Sequence, residues 1–193
     1  MMVMVEQLQL IMERIEIIQG DITRLQVDAI INPNNTNLIS NEGKGVNGAV
    51  IAAGGNQIKE ELQKIVVKMG ECPPGQSVLT QAGNMPSRFV IHTVSPVWRG
   101  GDFREETLLT DCYDNSLRLA VSKGLKTVAF PNLGTGNYQF PKDIAAEISV
   151  GTIHWFLRQE EGSKLEKVIL VCHNEENFEL CTNELNKIEK QFS

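Results

Sequence analysis

Asn32–Gly55, NPNNTNLISNEGKGVNGAVIAAGG, is the stretch on which the reading of this chain turns. It follows the apolar run Val27–Ile31 and opens on an Asn/Pro turn. It closes in Ala/Gly-rich sequence of helical character, and Gly43, Gly45 and Gly48 lie between, with Glu42 and Lys44 as the charged pair. Glycine lets a backbone turn sharply and approach a ligand closely. The free N–H groups of a helix start form an anion site. Strand, Gly-rich loop and helix together therefore describe a phosphate-binding element. An ordinary glycine-containing connection reads the same way on this stretch alone, so the flanking sequence has to decide.

Upstream, residues 1–13 form either an edge strand or a short amphipathic helix. Arg14–Gln19 is β-prone and leads into Gly20-Asp21-Ile22-Thr23. Val27–Ile31 is apolar throughout, as a strand covered on both faces should be. Downstream, Gly45–Ala53 and Asn56–Met69 are expected helices. In the second, Ile58, Leu62, Ile65, Val66 and Met69 recur at helical spacing, with Asn56 as N-cap and Gly70 as stop. Strands are expected at Ser77–Gln81, Phe89–Val94, Thr127–Pro131 and Lys167–Val171. Helices are expected at Thr107–Lys123, with Leu108, Cys112, Leu117, Leu119 and Ala120 toward the core, from Pro141 to about Gln159, and at Glu176–Lys190. A second Gly-rich loop, Asn132-Leu133-Gly134-Thr135-Gly136-Asn137-Tyr138, follows the Thr127–Pro131 strand. Alternating strands and helices indicate an α/β sandwich with helices on both faces of the sheet. Ligands in such sheets sit at the carboxyl ends of strands, where both loops fall.

The 193 residues suit one domain, with 41% hydrophobic and 22% charged residues as in globular proteins. A net charge of −6 argues against a nucleic-acid partner, which calls for a basic excess. It leaves room for a local site for an anion. Cys72, Cys112, Cys172 and Cys181 make no CxxC pair, and His173 lacks partners at zinc spacing; buried thiols in a reducing compartment are expected. The first residues carry Glu6 and Glu13 without a basic leader, and no run reaches the roughly 18 apolar residues of a membrane helix. A cytoplasmic protein with no membrane association is the expectation.

Taken in order, these features resemble the macrodomain family over roughly residues 14–190, which would make 14–193 one macrodomain behind an extension of residues 1–13. Gly20-Asp21-Ile22-Thr23 is similar to the family's GDIT, and Asn32-Pro33-Asn34-Asn35 to its NAAN. Gly43–Gly48, Pro73-Pro74-Gly75, Ile91-His92-Thr93-Val94 with Pro96, and Thr135-Gly136 with Tyr138 and Pro141 follow in sequence. Cys72–Gly75, Pro96–Gly101, Asn115–Leu119 and Cys172–Asn177 resemble the bacterial MacroD-like O-acetyl-ADP-ribose deacetylase group. The resemblance implies a three-layer α/β/α sandwich with a central mixed sheet and a site for ADP-ribose, needing neither cofactor nor metal. It implies that Asp21 and the Ile22 backbone read adenine and that Asn35 bonds the distal ribose. Gly43, Gly45 and Val46 would hold the diphosphate from one side, and Gly134, Thr135, Gly136 and Asn137 from the other. Tyr138 would cover the distal ribose, and His173 and Asn174 would border the adenosine. Bottom-up alternatives stand beside these: Asp21 as a turn cap, Tyr138 as a core aromatic, His92 as a hydrogen-bonded core histidine rather than a catalytic one.

The chain departs from the pattern in a longer loop between Asn35 and Val46, in Gly43-Lys44-Gly45 where the family has Gly-Gly-Gly, and at one chemically decisive position. The hydrolytic members carry Gly-Val-Asp-Gly where this chain has Gly45-Val46-Asn47-Gly48. An amide can orient water but cannot take its proton. Two readings follow. The first is a hydrolase of O-acetyl-ADP-ribose or of ester-linked mono-ADP-ribose on proteins, with Asn35 and Asn47 as the catalytic pair. The second is a non-catalytic ADP-ribose reader.

Overall fold

A computed structural model describes residues 8–38 and 45–192. Six strands form one mixed sheet: β1 (Ile15–Gln19), β2 (Ala29–Asn34), β3 (Ser77–Gln81), β4 (Phe89–Val94), β5 (Thr127–Pro131) and β6 (Lys167–Cys172). Their spatial order is β1-β6-β5-β2-β4-β3. All neighbours are parallel except β3, which runs antiparallel to β4 at the edge. The helices are α1 (residues 8–12), α2 (Val46–Gly54), α3 (Asn56–Met69), α4 (Glu105–Ser122), α5 (Lys142–Leu157) and α6 (Glu175–Phe192). Among the described residues, no helix is long and apolar enough to cross a membrane.

Side chains of successive strand residues point to opposite faces, and the core divides accordingly. Ile31, Ile91, Val128, Phe130, Val168 and Leu170 pack with Leu109, Tyr113, Val150, Ile153 and Phe156 of α4 and α5. Ile30, Val90 and Ala129 face the other way, against Val50, Ile51, Ile58 and Leu62 of α2 and α3. All four cysteines are buried free thiols.

The structure corrects several boundaries. β2 does not end at Ile31 but runs on through Asn32-Pro33-Asn34, in register with His92-Thr93-Val94 of β4. Its pairing with β5 covers only Ala29 and Ile30, so no bond to β5 is asked of Pro33, which has no N–H to give. Asn56 is not the cap of α3. Gly55, at φ +78°, ends α2 and begins α3 with no side-chain cap. The reason is close packing: the Asn84 N–H donates to Gly54 O at 3.1 Å, and a Cβ on Gly83 would lie 1.9 Å from that oxygen. α4 starts two residues before its expected Thr107 and turns Leu109 and Tyr113 inward, leaving Leu108 half-buried. α5 stops at Leu157, before Gln159, with Pro141 just ahead of its first residue. Met69, the last residue of the apolar helical spacing in α3, is 47% exposed. Of the alternatives for residues 1–13, the described part is helical.

A carboxylate ties the amino ends of the central strands together. Asp28 Oδ2 accepts from the backbone N–H of Lys126 at 2.8 Å and Thr127 at 3.1 Å, and Oδ1 accepts from Arg88 at 2.9 Å. Burial pushes this carboxyl up, but those donors outweigh it and hold it below the ordinary 3.8. Its contribution is therefore present above the unfolded value and lost as pH falls through the lowered folded one. Asp28→Ala should reduce unfolding free energy by about 2 kcal/mol at neutral pH. Urea unfolding should show that deficit shrinking in acid; an unchanged midpoint at neutral pH would contradict the role.

Candidate functional site

Beyond Ile30 the β2–β5 ladder has ended, and the two chains part. The connection from β2 leads to α2 on one face, and that from β5 leads to α5 on the other. Such a reversal opens a crevice at the carboxyl ends of strands. Here it is a cleft of about 380 Å³ lined by Pro33, Asn34, Asn35, Gly45, Val46, Asn47, Asn132, Gly134, Gly136, Asn137 and Tyr138. Among the described residues, no side chain in that lining is charged. The first turn of α2 opens on one wall, with Gly45 at φ +92°, a backbone that only glycine adopts readily.

The opposite wall is the loop after β5. Gly134 stands at φ +78°, and its carbonyl accepts the Phe140 N–H at 3.0 Å. The Thr135 hydroxyl donates to Asn132 O at 3.0 Å, so that side chain is spent inside its own loop. The Tyr138 carbonyl accepts the Trp98 N–H at 2.9 Å, and the Trp98 ring packs on Phe140 with centroids 4.6 Å apart. Trp98 is in turn held by a loop gathered on Glu105, whose carboxylate accepts the N–H groups of Arg99, Gly101 and Phe103. Burial raises the Tyr138 hydroxyl's pKa above its ordinary value, so it remains a donor at neutral pH.

The floor holds polar groups that the fold leaves unused. Asn34 Oδ1 accepts the Asn35 N–H at 2.9 Å, while Asn34 Nδ2 is buried with no protein partner. Asn132 Nδ2 reaches Cys181 Sγ at 3.4 Å, and Asn132 Oδ1 is likewise buried without a partner. Buried polar atoms left this way cost stability unless water or a ligand meets them.

Behind the floor runs a buried hydrogen-bonded row, in which Asn32 Oδ1 is left without a partner. Asn32 Nδ2 donates to Asn47 Oδ1 at 2.8 Å and lies 3.1 Å from His92 Nδ1. His92 Nε2 lies 2.9 Å from Thr80 Oγ1, which donates to Gln81 O at 3.0 Å. Burial drives His92 down from 6.5 to about 3, so the ring is neutral.

The expected site residues divide into two sets. Asn35, Gly45, Val46, Asn47, Gly134, Gly136, Asn137 and Tyr138 meet in the cleft. Thr135 is half-buried in the wall and outside that lining. Asp21 and Ile22 stand at the end of β1. There Asp21 caps a 3₁₀ turn (Ile22–Arg24), accepting Thr23 N–H at 3.0 Å and Thr23 Oγ1 at 2.7 Å. These hydrogen bonds, first the hydroxyl's, lower its pKa. Its Oδ2 faces Arg24 at 3.5 Å, and the side chain is 52% exposed. Asp21 is therefore a turn cap that still has an oxygen open to a ligand. Gly43 and Lys44 lie outside the described residues. Asn174 caps α6 by accepting the Asn177 N–H at 2.9 Å. Sequence reasoning missed Pro33, Asn34 and Asn132 as lining residues and Glu105 as the loop's anchor. It also missed the Asn32–His92 pair, for which the signal was strand parity, since the two are directly opposed in the β2–β4 register.

A Macro domain family model matches residues 31–149, and the chain belongs to that family. It is 48% identical to an O-acetyl-ADP-ribose deacetylase of Escherichia fergusonii over 167 residues, 86% of this chain and 92% of the relative. It is 42% identical to a macro domain-containing protein of Cupriavidus necator, over 90% of this chain and 98% of that one. The fold is similar to an Oceanobacillus iheyensis macrodomain with ADPR (TM-score 0.85, 33% identity, 91% of this chain and 94% of that chain). It also matches a Trypanosoma brucei macrodomain in complex with ADP-ribose (TM-score 0.77, 31% identity, 93% and 69%).

His92 binds no proton in the folded state until pH falls toward 3, whereas the unfolded chain takes one up below 6.5. Stability therefore declines as pH drops below 6.5, by roughly 1.4 kcal/mol per unit from this group. NMR of the imidazole should show no titration between neutral pH and about pH 5. A midpoint near the ordinary histidine value would contradict the buried row.

Proposed function

We propose that this chain binds ADP-ribose in the cleft and hydrolyses esters made on it, O-acetyl-ADP-ribose or ADP-ribose ester-linked to Asp or Glu side chains of proteins. The observation that carries this reading is a cleft whose lining among the described residues carries no charge, walled by the first turn of α2 and by the Gly134–Asn137 loop. Preorganised backbone amides suit a diphosphate without any cationic side chain, and the deacetylase relatives cover most of both chains.

In this reading Gly43, Gly45 and Val46 hold the diphosphate from the α2 side. Gly134, Thr135, Gly136 and Asn137 close on it from the β5 side. The outer Asp21 oxygen accepts from the adenine amino group, beside the Ile22 backbone. Asn35 bonds the distal ribose hydroxyls, and Tyr138 covers that sugar. Residues 14–193 would act as one macrodomain. Water attacks the acyl carbon, the bond from that carbon to the ribose oxygen breaks, and the ribose hydroxyl and the carboxylic acid are the products. Asn47 has no proton affinity to offer, so positioning by Asn35 and the substrate's phosphate carries the step.

The purified protein should convert O-acetyl-ADP-ribose to ADP-ribose and acetate, and Asn35→Ala should lower kcat/KM by about 10²-fold with its melting temperature retained. ADP-ribose binding without any acetate release would contradict hydrolysis and leave a reader. Absence of ADP-ribose binding would contradict the ligand itself.

A further inference from the structure

The buried row behind the cleft decides which end of the Asn47 amide faces the ligand. It begins at the Gln81 carbonyl, which can only accept. Thr80 Oγ1, at 3.0 Å, gives its single proton to that oxygen. Toward His92 Nε2, at 2.9 Å, the hydroxyl is then left as an acceptor, so the ring proton sits on Nε2. Nδ1 becomes a lone pair, and Asn32 must present Nδ2 to it at 3.1 Å. The second hydrogen of the same nitrogen points to Asn47, 2.8 Å away, where only the carbonyl oxygen can receive it. Each link follows from giving the Thr80 proton to Gln81 O, and Asn32 Oδ1 is the atom this arrangement leaves without a partner. The Asn47 carbonyl is consumed inward, and its NH₂ group is what remains for the cleft that the residue lines.

We infer that Asn47 is a donor to an acceptor-only oxygen of the ligand, an ionised phosphate oxygen of a nucleoside diphosphate sugar, and not an acceptor that orients water. The inference rests on the proposed ADP-ribose site. An aspartate here would receive the Asn32 hydrogen with one oxygen and turn the other, negative, toward the cleft. Asparagine reverses that polarity and adds a side-chain donor to the backbone amides of the α2 first turn and the Gly134–Asn137 loop. Thr80, in β3 and outside the cleft lining, is then a positioning residue for a ligand it does not touch. Without its hydroxyl the neutral His92 moves its proton to Nδ1, Asn32 turns its oxygen to meet it, and Asn47 turns its carbonyl to the cleft.

The test is ADP-ribose titration of the full chain by calorimetry, with Asn47→Ala, Thr80→Val, Thr80→Ser and the Asn47→Ala/Thr80→Val double variant, beside nitrogen-detected NMR of His92. Asn47→Ala and Thr80→Val should each weaken binding by about tenfold, Thr80→Ser should match the native chain, and the double variant should be no weaker than Asn47→Ala. The native ring should carry its proton on Nε2, and Thr80→Val should move it to Nδ1. If the native chain binds but Asn47→Ala stays within about twofold of it, or the two losses multiply, the inference falls and the proposed ligand stands. A native His92 protonated on Nδ1 overturns it independently of any variant. If the native chain does not bind ADP-ribose, the proposed function fails and this inference fails with it.

Discussion

The early end of the β2–β5 ladder governs this structure. Two parallel strands in the middle of the sheet pair only at Ala29 and Ile30. Past that point β2 continues against β4 alone and carries Asn32, Pro33 and Asn34 beyond the core. Because the following helices lie on opposite faces, the parting chains make a cleft whose floor is strand and whose walls are loops. Had β5 kept pace with β2, Pro33 would have broken a ladder bond and the space would have closed. The Gly54–Gly83 contact serves the same end at a distance, since it seats the end of α2 whose first turn forms one wall.

A cleft whose lining among the described residues carries no charge is chemically consistent with an anionic ligand, even in an acidic chain. Amide dipoles held by the fold cost no reorganisation when the anion arrives. Side-chain amides extend the same chemistry. Asn34 and Asn132 keep unused groups on the floor, and Asn47 is oriented by the buried row. That row crosses three strands, from β3 through β4 to β2, before reaching α2. It links the far edge of the sheet to the cleft through neutral groups alone, so its polarity holds across the whole range in which His92 stays unprotonated.

Much of this was legible in the residues. Long periodic segments such as Asn56–Met69 and short apolar runs such as Thr127–Pro131 gave elements with the observed bounds. The two Gly-rich loops were placed at strand ends, and most of the expected site residues meet there. What stayed hidden depends on partners distant in the chain. Asn32-Pro33-Asn34 looks like a turn because its strand character comes from β4, some sixty residues later. Gly55 displaces Asn56 as the start of α3 because of Asn84 and Gly83, not because of local capping strength. Thr80 reads as an ordinary β-branched strand residue, and only the diagonal contact with His92 gives it a part in the site.

The claim that amides, and not cations, hold the ligand is tested most directly by the salt dependence of ADP-ribose affinity. Between about 50 mM and about 500 mM sodium chloride the dissociation constant should stay within about twofold, because dipoles at contact distance are little screened. A loss of about tenfold or more over that range would mean that cationic side chains carry the binding, and would contradict the account.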